Sequence, residues 1–460
     1  MSMEVKISSY RKDLAKLKGN HVAEGFLMSF EDALDFIREN ANKRIADLGL
    51  DINMSKAKTK PEFRENFERA KTMVTDIVLI NKLRVRNFEG DKIDKFIHYA
   101  THEIAGYSIL SDIFEDDDIT DFFVIKYNYI VVEYRDGHYE VYPRSFASEK
   151  HLALHVERFL RVNGLEINDG SKKIVHFELF GDRGCAISAK TAKKGLSLTM
   201  RKHSEEHIVL EQVVKAGVMT QEMADLMGAF IIGETNVIIG GLTGSGKTTT
   251  MRALLDEYLT RSNKRALVAE DTQELYLRHK HVVELLASHG KQGEDGVVTL
   301  YDLILTALRL KPKYIIVGEV RGIEAVAAVE GMETGHSTWM SMHGGNSWNI
   351  FNRLVTKYLM GMPSLSVPVI ERIIGSSLDY VAIQDNIPDI GRRISMIDEV
   401  SYNFDENKII IRPIIRFNLI TQEFEWVNKI SREKAMNMLR RGVKWDEIKQ
   451  WVEEESVVAA

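Results

Sequence analysis

The chain has only one cysteine, Cys185, among its 460 residues. A single cysteine excludes a disulfide within the chain, and it also excludes a zinc site built from four cysteines. One cysteine is compatible with a reducing compartment, so we expect a cytoplasmic protein.

Long apolar segments are also missing. No segment reaches the run of about 18 apolar residues that a membrane-spanning helix needs, and residues 1–7 lack the apolar core of a signal peptide. The net charge of −6 is small for this length, so it does not indicate binding to nucleic acid or to an anionic membrane. Any membrane contact must therefore be peripheral, through surface patches or partner proteins, and we expect no direct contact with nucleic acid.

The composition that remains, 44% hydrophobic and 28% charged, is typical of a globular protein with several domains. Apolar residues recur at helical spacing near the N-terminus, β-branched and aromatic residues cluster at 122–132, and strands alternate with helices after residue 212. We predict a helical N-terminal extension (1–105), an α+β domain (106–202), a linker (203–211), a parallel-sheet α/β domain (212–425) and a helical tail (426–460).

The strongest motif is a glycine-rich loop at residues 241–248, with the pattern G-x-x-x-x-G-K-T. It follows the apolar run 236–240 and precedes a helical segment, which is the setting that a phosphate-binding loop requires. Its glycines allow backbone N–H groups to surround a phosphate, and the lysine reaches the β- and γ-phosphates while the threonine hydroxyl binds Mg²⁺. We expect ATP to contact Gly241, Leu242, Thr243, Gly244, Ser245, Gly246, Lys247, Thr248 and Thr249.

Two further apolar runs end in acidic residues. The run 266–269 is followed by Glu270, Asp271 and Glu274, at the edge of a parallel sheet where ligands bind. The run 314–317 is followed by Gly318, Glu319 and Arg321, with a glycine where many ATPases carry aspartate. Since Mg²⁺ needs few protein carboxylates, Glu319 can act on it through water.

A third segment contains His336 and His343, seven residues apart. No cysteine or third histidine nearby completes a zinc site. We interpret the pair as nucleotide-site residues that sense the γ-phosphate or couple to a neighbouring subunit. The alternative for one of them is a residue at the edge of the core.

These motifs together resemble the secretion ATPases of type II and type IV secretion, type IV pili and the archaeal flagellum. Residues 241–249 are similar to the family's Walker A motif, 270–275 to its Asp box, and 308–321 to its Walker B motif, in which Gly-Glu is the normal form. Residues 334–343 have the spacing of its His box. Residues 198–202 resemble the stretch that closes its N-terminal domain.

The resemblance implies a RecA-like ATPase domain in a homohexameric ring that works with an inner-membrane platform protein, and it implies ATP and Mg²⁺ as cofactors. It implies Glu270 as the general base for the attacking water, Glu319 near Mg²⁺, and Arg201 as a clamp on phosphate.

Some features distinguish branches of the family. The missing cysteine tetrad argues against the zinc-bearing type II and type IVa pilus extension motors. The long helical N-terminus, and residues 391–393 followed by Glu399, are similar to the CpaF-like branch of tight-adherence pili or to its conjugation relatives. Two departures from the family pattern are Lys313, where the family usually has aspartate, and residues 177–183, which lack the usual Pro-Asp-Gly-Ser-Arg pattern.

Alternatives to a pilus motor remain open at this point. A conjugation ATPase of a type IV secretion system fits the same motifs. A nucleotide-gated scaffold without useful turnover fits them less well, because Lys247, Thr248, Glu270 and Glu319 are all present. A P-loop kinase for a small molecule also fits less well, because the Asp-box and His-box segments occupy the positions where a kinase needs an acceptor pocket and a lid.

Overall fold

The structure is a computed structural model that describes residues 27–48, 60–88, 90–162, 164–168, 170–179, 181–202, 207–288 and 296–454. It divides into two compact units, Met1–Glu205 (the first unit) and Glu206–Ala460 (the second unit). Predicted extension residues 1–26 and 49–59, predicted linker residues 203–206 and predicted tail residues 455–460 lie outside the described residues.

The first unit begins with helices that pack around an apolar core. Ser29 caps the first of them, because its hydroxyl accepts from the Asp32 N–H at 3.1 Å. Ala33, Ile37 and Ala41 recur on one face of that helix and are fully buried. The helices of this unit are α1 (Phe30–Leu48), α2 (Lys60–Ile80), α3 (Ile93–Ala105), α4 (Leu110–Glu115) and α5 (Glu149–Val162), with a 3₁₀ turn at Gly90–Lys92.

The described residues of the first unit also form two sheets. The short strands β1 (Leu27–Met28) and β2 (Arg84–Val85) pair in parallel. The larger sheet is antiparallel in the order β5-β4-β3-β8-β7-β6. Its strands are β3 (Ile119–Lys126), β4 (Tyr129–Tyr134), β5 (Tyr139–Val141), β6 (Ile174–Leu179), β7 (Asp182–Ile187) and β8 (Ser197–Arg201). An α+β arrangement therefore follows the helices, as the sequence predicts.

The second unit alternates strands and helices and then ends in an antiparallel meander. Its helices are α6 (Leu210–Lys215), α7 (Gln221–Ile232), α8 (Lys247–Ser262), α9 (Leu300–Arg309), α10 (Glu324–Glu333), α11 (Ser347–Gly361), α12 (Val367–Ser377), α13 (Arg432–Arg440) and α14 (Trp445–Ile448), with a 3₁₀ turn at Lys449–Trp451. Its strands are β9 (Val237–Gly241), β10 (Ala266–Glu270), β11 (Val282–Leu286), β12 (Tyr314–Val317), β13 (Ser337–His343), β14 (Tyr380–Ile387), β15 (Gly391–Asn403), β16 (Lys408–Asn418) and β17 (Glu423–Trp426).

One nine-stranded sheet organises this unit, in the order β11-β10-β12-β13-β9-β14-β15-β16-β17. The six strands from β11 to β14 are parallel, and the last three are antiparallel. Every residue of β9, β10 and β12 is buried, as expected for parallel strands that helices cover on both faces. This is the RecA-like α/β fold, and the carboxyl ends of its parallel strands meet at one edge.

The predicted C-terminal tail is helical, but it packs as part of the second unit. Ile430, Met438 and Trp451 join the same apolar core as α7 and β9. The Trp451 indole N–H donates to Glu222 on α7 at 2.9 Å, which fixes the end of the tail. Among the described helices, none has both the length and the hydrophobicity needed to span a bilayer.

Candidate nucleotide-binding site

The phosphate-binding loop connects the buried strand β9 to helix α8. Gly244 and Gly246 have positive φ angles of +77° and +93°, which L side chains rarely adopt. At Gly241 a Cβ atom would lie 2.2 Å from the Gln384 carbonyl oxygen, so only glycine fits there. The loop therefore has the glycine-dependent curvature that a phosphate cradle requires, and it leads into the N-terminus of a 16-residue helix.

Lys247 is buried at the first position of α8, with 7% of its surface exposed. Its ammonium group donates to the carbonyl oxygens of Gly241 at 3.1 Å and of Leu242 at 3.0 Å. These contacts hold the positive charge against the loop, where a triphosphate needs it. Thr248 and Thr249 follow on the first turn of the helix and are both partly exposed.

Two side chains from strands that are distant in sequence support the backbone of the loop. The buried Gln384 of β14 donates to the Ser245 carbonyl oxygen at 2.7 Å, and Arg392 of β15 donates to the Gly244 carbonyl oxygen at 3.3 Å. Sequence reasoning missed both roles. A glutamine directly after the apolar run 380–383 was the available signal for the first, because a buried amide needs a partner.

Glu270 ends β10 at the same edge of the sheet and is only 3% exposed. Its carboxylate accepts from the backbone N–H groups of Glu274 at 3.1 Å and Leu275 at 3.3 Å. Burial raises the pKa of Glu270 to about 8, although these two N–H groups partly oppose the shift. At neutral pH the buried carboxyl therefore holds a proton for most of the time.

Gly318, in the Walker B segment, lies against Glu270. A Cβ atom at residue 318 would lie 2.9 Å from the Glu270 Cγ atom and 3.1 Å from its Oε1 atom. An aspartate at this position would occupy the space of the Glu270 side chain. This contact gives a steric reason why glycine replaces the aspartate that many ATPases carry.

Glu319 follows in a more polar setting, with 20% of its side chain exposed. It pairs with the Arg321 guanidinium, and its Oε1 atom lies 2.8 Å from the His343 Nε2 atom. Burial alone would raise the pKa of Glu319, but Arg321, His343 and Lys247 together lower it below its ordinary value. Glu319 is thus ionised at neutral pH and faces the loop lysine, as a carboxylate ligand of Mg²⁺ would.

The structure separates the two histidines of the predicted His box. His343 ends β13 beside the loop, and its Nδ1 atom lies 3.3 Å from the Gly241 carbonyl oxygen. His336 precedes the same strand, and its Nδ1 atom lies 2.8 Å from the Pro312 carbonyl oxygen. Seven residues of strand span about 23 Å. Within this chain His336 therefore lies at the opposite end of β13 from the loop, and its contact with a nucleotide stays a prediction.

The remaining predicted residues occupy two places. Arg321 lies beside Glu319, and the charges of Asp271 and Glu274 act on it from the neighbouring strand end. Arg201 belongs to the first unit, where its exposed side chain lies 3.9 Å from Asp121 on the adjacent strand β3. Its role toward a nucleotide therefore stays a prediction.

Comparison with known proteins gives one family match and several relatives. Residues 188–398 match the family described as "Type II/IV secretion system protein". An uncharacterized protein of Methanocaldococcus jannaschii is 29% identical over 310 residues, or 65% of this chain and 56% of that protein. The conjugal transfer protein TrbB of Rhizobium radiobacter is 29% identical over 189 residues, or 41% of this chain and 55% of TrbB. The chain thus spans about half the length of these curated relatives.

Among solved structures, the VirB11 ATPase of the Brucella suis type IV secretion system, crystallised with sulphate, is 26% identical. The match covers 62% of this chain and 90% of that chain, with a TM-score of 0.34. The family match and the curated relatives support a place for this chain in the type II/IV secretion ATPase superfamily.

Proposed function

We propose that the chain hydrolyses ATP to ADP and phosphate and acts as the motor of a type II/IV secretion-type machine. One observation carries the proposal. The ends of β9, β10, β12 and β13 bring the phosphate-binding loop, Glu270, Glu319 and His343 to one edge of the sheet. A loop that binds a triphosphate and two acids in different environments are what metal-assisted hydrolysis requires.

The two acids have different proposed roles because their surroundings differ. Glu270 is buried, and a carboxylate with a pKa near the working pH is an effective general base once it is ionised. We assign to it the proton of the attacking water. Glu319 is kept ionised by Arg321 and His343, and we assign to it, with the Thr248 hydroxyl, the Mg²⁺ ion that accompanies ATP. That ion would neutralise charge on the phosphates.

Lys247 is the residue that we assign to binding the phosphates of ATP. Its ammonium group is already held inside the loop by two carbonyl oxygens, so little reordering is needed before it contacts phosphate. His343 contacts both Gly241 of the loop and Glu319. We propose that it transmits the occupancy of the loop to the metal-side acid.

Phosphate release tests the assignment. Glu270→Gln should retain nucleotide binding and lose turnover, because an amide cannot accept a proton from water. Glu319→Gln should lose turnover, and the turnover that remains should no longer depend on Mg²⁺ concentration. If Glu319→Gln alone stops the reaction, the base is assigned to the wrong acid. If ADP forms only when an acceptor molecule is added, and no free phosphate is released, the protein is a kinase.

The oligomeric state, location, partner and family branch that we propose rest on the sequence motifs. We propose a homohexamer at the cytoplasmic face of the membrane, bound to an inner-membrane platform protein, in the CpaF-like branch that assembles tight-adherence pili. The similarity to TrbB favours conjugation as the second candidate. Mass measurement with Mg²⁺ and a non-hydrolysable ATP analogue tests the ring. A strict monomer at micromolar concentration would contradict it.

A further inference from the structure

Helices α3 and α4 of the first unit bring together three side chains that sequence analysis did not single out. The His98 Nε2 atom lies 3.1 Å from the His102 Nε2 atom and 3.2 Å from the Asp112 Oδ1 atom. The His102 Nε2 atom lies 3.9 Å from the same oxygen. We refer to these three residues as the α3–α4 cluster.

We propose that the α3–α4 cluster is a binding site for a divalent transition-metal ion, with Zn²⁺ as the best match. Two imidazole nitrogens and one carboxylate oxygen are a donor set that zinc uses in proteins. Ligands at ~2.0–2.1 Å from a tetrahedral zinc ion lie ~3.3 Å from one another. Two of the three separations in the cluster are close to this value, so the ligand atoms need only small movements around an ion.

The backbone and the neighbouring side chains hold this geometry. His98 and His102 are four residues apart on α3 and therefore lie on one face of the helix. Arg144 binds the Asp112 Oδ2 atom, which leaves the Oδ1 atom directed toward the histidines. Support of a carboxylate through its second oxygen is typical of metal sites.

Access and coordination number also fit a metal site. His102 is buried, whereas 36% of the His98 side chain is exposed, so an ion can enter from solvent. The Glu115 Oε1 atom lies 4.0 Å from the His102 Nε2 atom, close enough to supply a fourth ligand.

A second cluster in the same unit looks similar but is better explained by hydrogen bonds. Glu103 Oε2 lies 3.0 Å from His151 Nε2 and 3.5 Å from His155 Nε2. However, the Ala147 N–H donates to His151 Nδ1 at 3.2 Å, so the proton of this imidazole is on Nε2, where a metal would bind. Arg38 also approaches the same carboxylate oxygen at 3.9 Å. This cluster therefore provides a matched control.

The experiment uses the full chain without nucleotide, in excess Mg²⁺, so that the phosphate-binding loop does not compete for zinc. Zn²⁺ is titrated against a chromophoric chelator. Co²⁺ is used separately, because its visible absorption reports tetrahedral nitrogen and oxygen ligands. We expect one tight equivalent per chain, weakened at least ~100-fold by His98→Ala or Asp112→Asn, and left intact by His151→Ala.

His98 and Asp112 are both partly exposed, so these two variants should fold. Their folding is checked by circular dichroism. The proposal is overturned if the parent chain binds no zinc tightly, if both variants keep the tight equivalent, or if His151→Ala removes it. Each of these outcomes would leave the α3–α4 cluster as a hydrogen-bond network. Because no nucleotide is present, none of them bears on the proposed ATPase activity.

Discussion

Replacing Glu270 with glutamine should stabilise the second unit, and the gain should grow with pH. The carboxyl is 3% exposed, and burial raises its pKa from 4.5 to about 8. Glutamine has nearly the same shape and does not ionise. The substitution therefore removes the free-energy cost of protonating residue 270 on folding and leaves the packing almost unchanged.

The sign and size follow from proton binding. Between pH 4.5 and pH 8 the folded chain keeps the Glu270 proton, whereas the unfolded chain releases it. The unfolded state thus binds fewer protons, so this residue lowers the free energy of unfolding by about 1.4 kcal/mol per pH unit. From pH 5.5 to pH 7.5 the advantage of Glu270→Gln over the parent should grow by up to ~3 kcal/mol.

Tryptophan fluorescence can measure this effect in the intact chain. All five tryptophans lie in the second unit, so their emission reports the unfolding of that unit alone. Urea unfolding without nucleotide, at pH 5.5 and pH 7.5, gives the free energy of unfolding of the parent and the variant. The comparison between the two proteins cancels the pH response of all other groups.

Glu257→Gln is the control, because it removes an exposed carboxylate on α8 that pairs with Arg261. It measures the general effect of losing one negative charge at each pH. If the advantage of Glu270→Gln changes by less than ~1 kcal/mol between the two pH values, Glu270 ionises in the folded chain well below pH 8. The pKa argument would then be refuted.

Three further substitutions test the site, and each is measured by phosphate release and nucleotide binding. Lys247→Ala should reduce hydrolysis by orders of magnitude, because it removes the buried ammonium group of the loop; retention of more than about a tenth of parent turnover would contradict the assignment. Gly318→Ala should lower turnover roughly 10- to 100-fold with little change in nucleotide binding, since its methyl group displaces Glu270. Gly345→Ala is the control and should leave turnover unchanged, because its added Cβ meets nothing within 4 Å. Arg201→Ala should lower turnover more than ATP binding; equal turnover would make it an ordinary surface arginine.

The sequence predicted the parts of the site that are continuous along the chain. The phosphate-binding loop lies between a buried strand and a helix, as the spacing of residues 236–255 indicates. The acids at residues 270 and 319 lie at strand ends, because apolar runs that stop at an acid are typical of buried parallel strands. The local sequence pattern was therefore sufficient to predict the positions of the loop and of these two acids.

Long-range contacts were not predictable in the same way. Gln384 supports a loop that is 139 residues away in the sequence, and no local pattern indicates which backbone group it binds. The same holds for the contact between Gly318 and Glu270, which come from separate strands. The position of His336 is a different case, because the seven-residue length of β13 places its two ends at opposite ends of the parallel strands.

The clusters of the first unit were missed for another reason. His98 and His102, like His151 and His155, have the i,i+4 spacing of side chains on one helix face. The spacing of each histidine pair is visible in the sequence, but no sequence pattern indicates which acid lies beside the pair in the structure. The acids come from a separate helix in both cases, and only the tertiary structure brings them within reach.

The environments of the two acids at the nucleotide site support the different roles that we propose for Glu270 and Glu319. Burial raises the pKa of Glu270, and neighbouring cations lower the pKa of Glu319. The two pKa values differ even though the acids are close, since Gly318 directly precedes Glu319 and contacts Glu270. Acid and base assignments in enzymes often follow such a separation of pKa values. Gly318 makes the separation possible, because a larger residue would displace Glu270 from its buried position. The glycine in place of the Walker B aspartate thus leaves space for the Glu270 side chain, which we propose as the base.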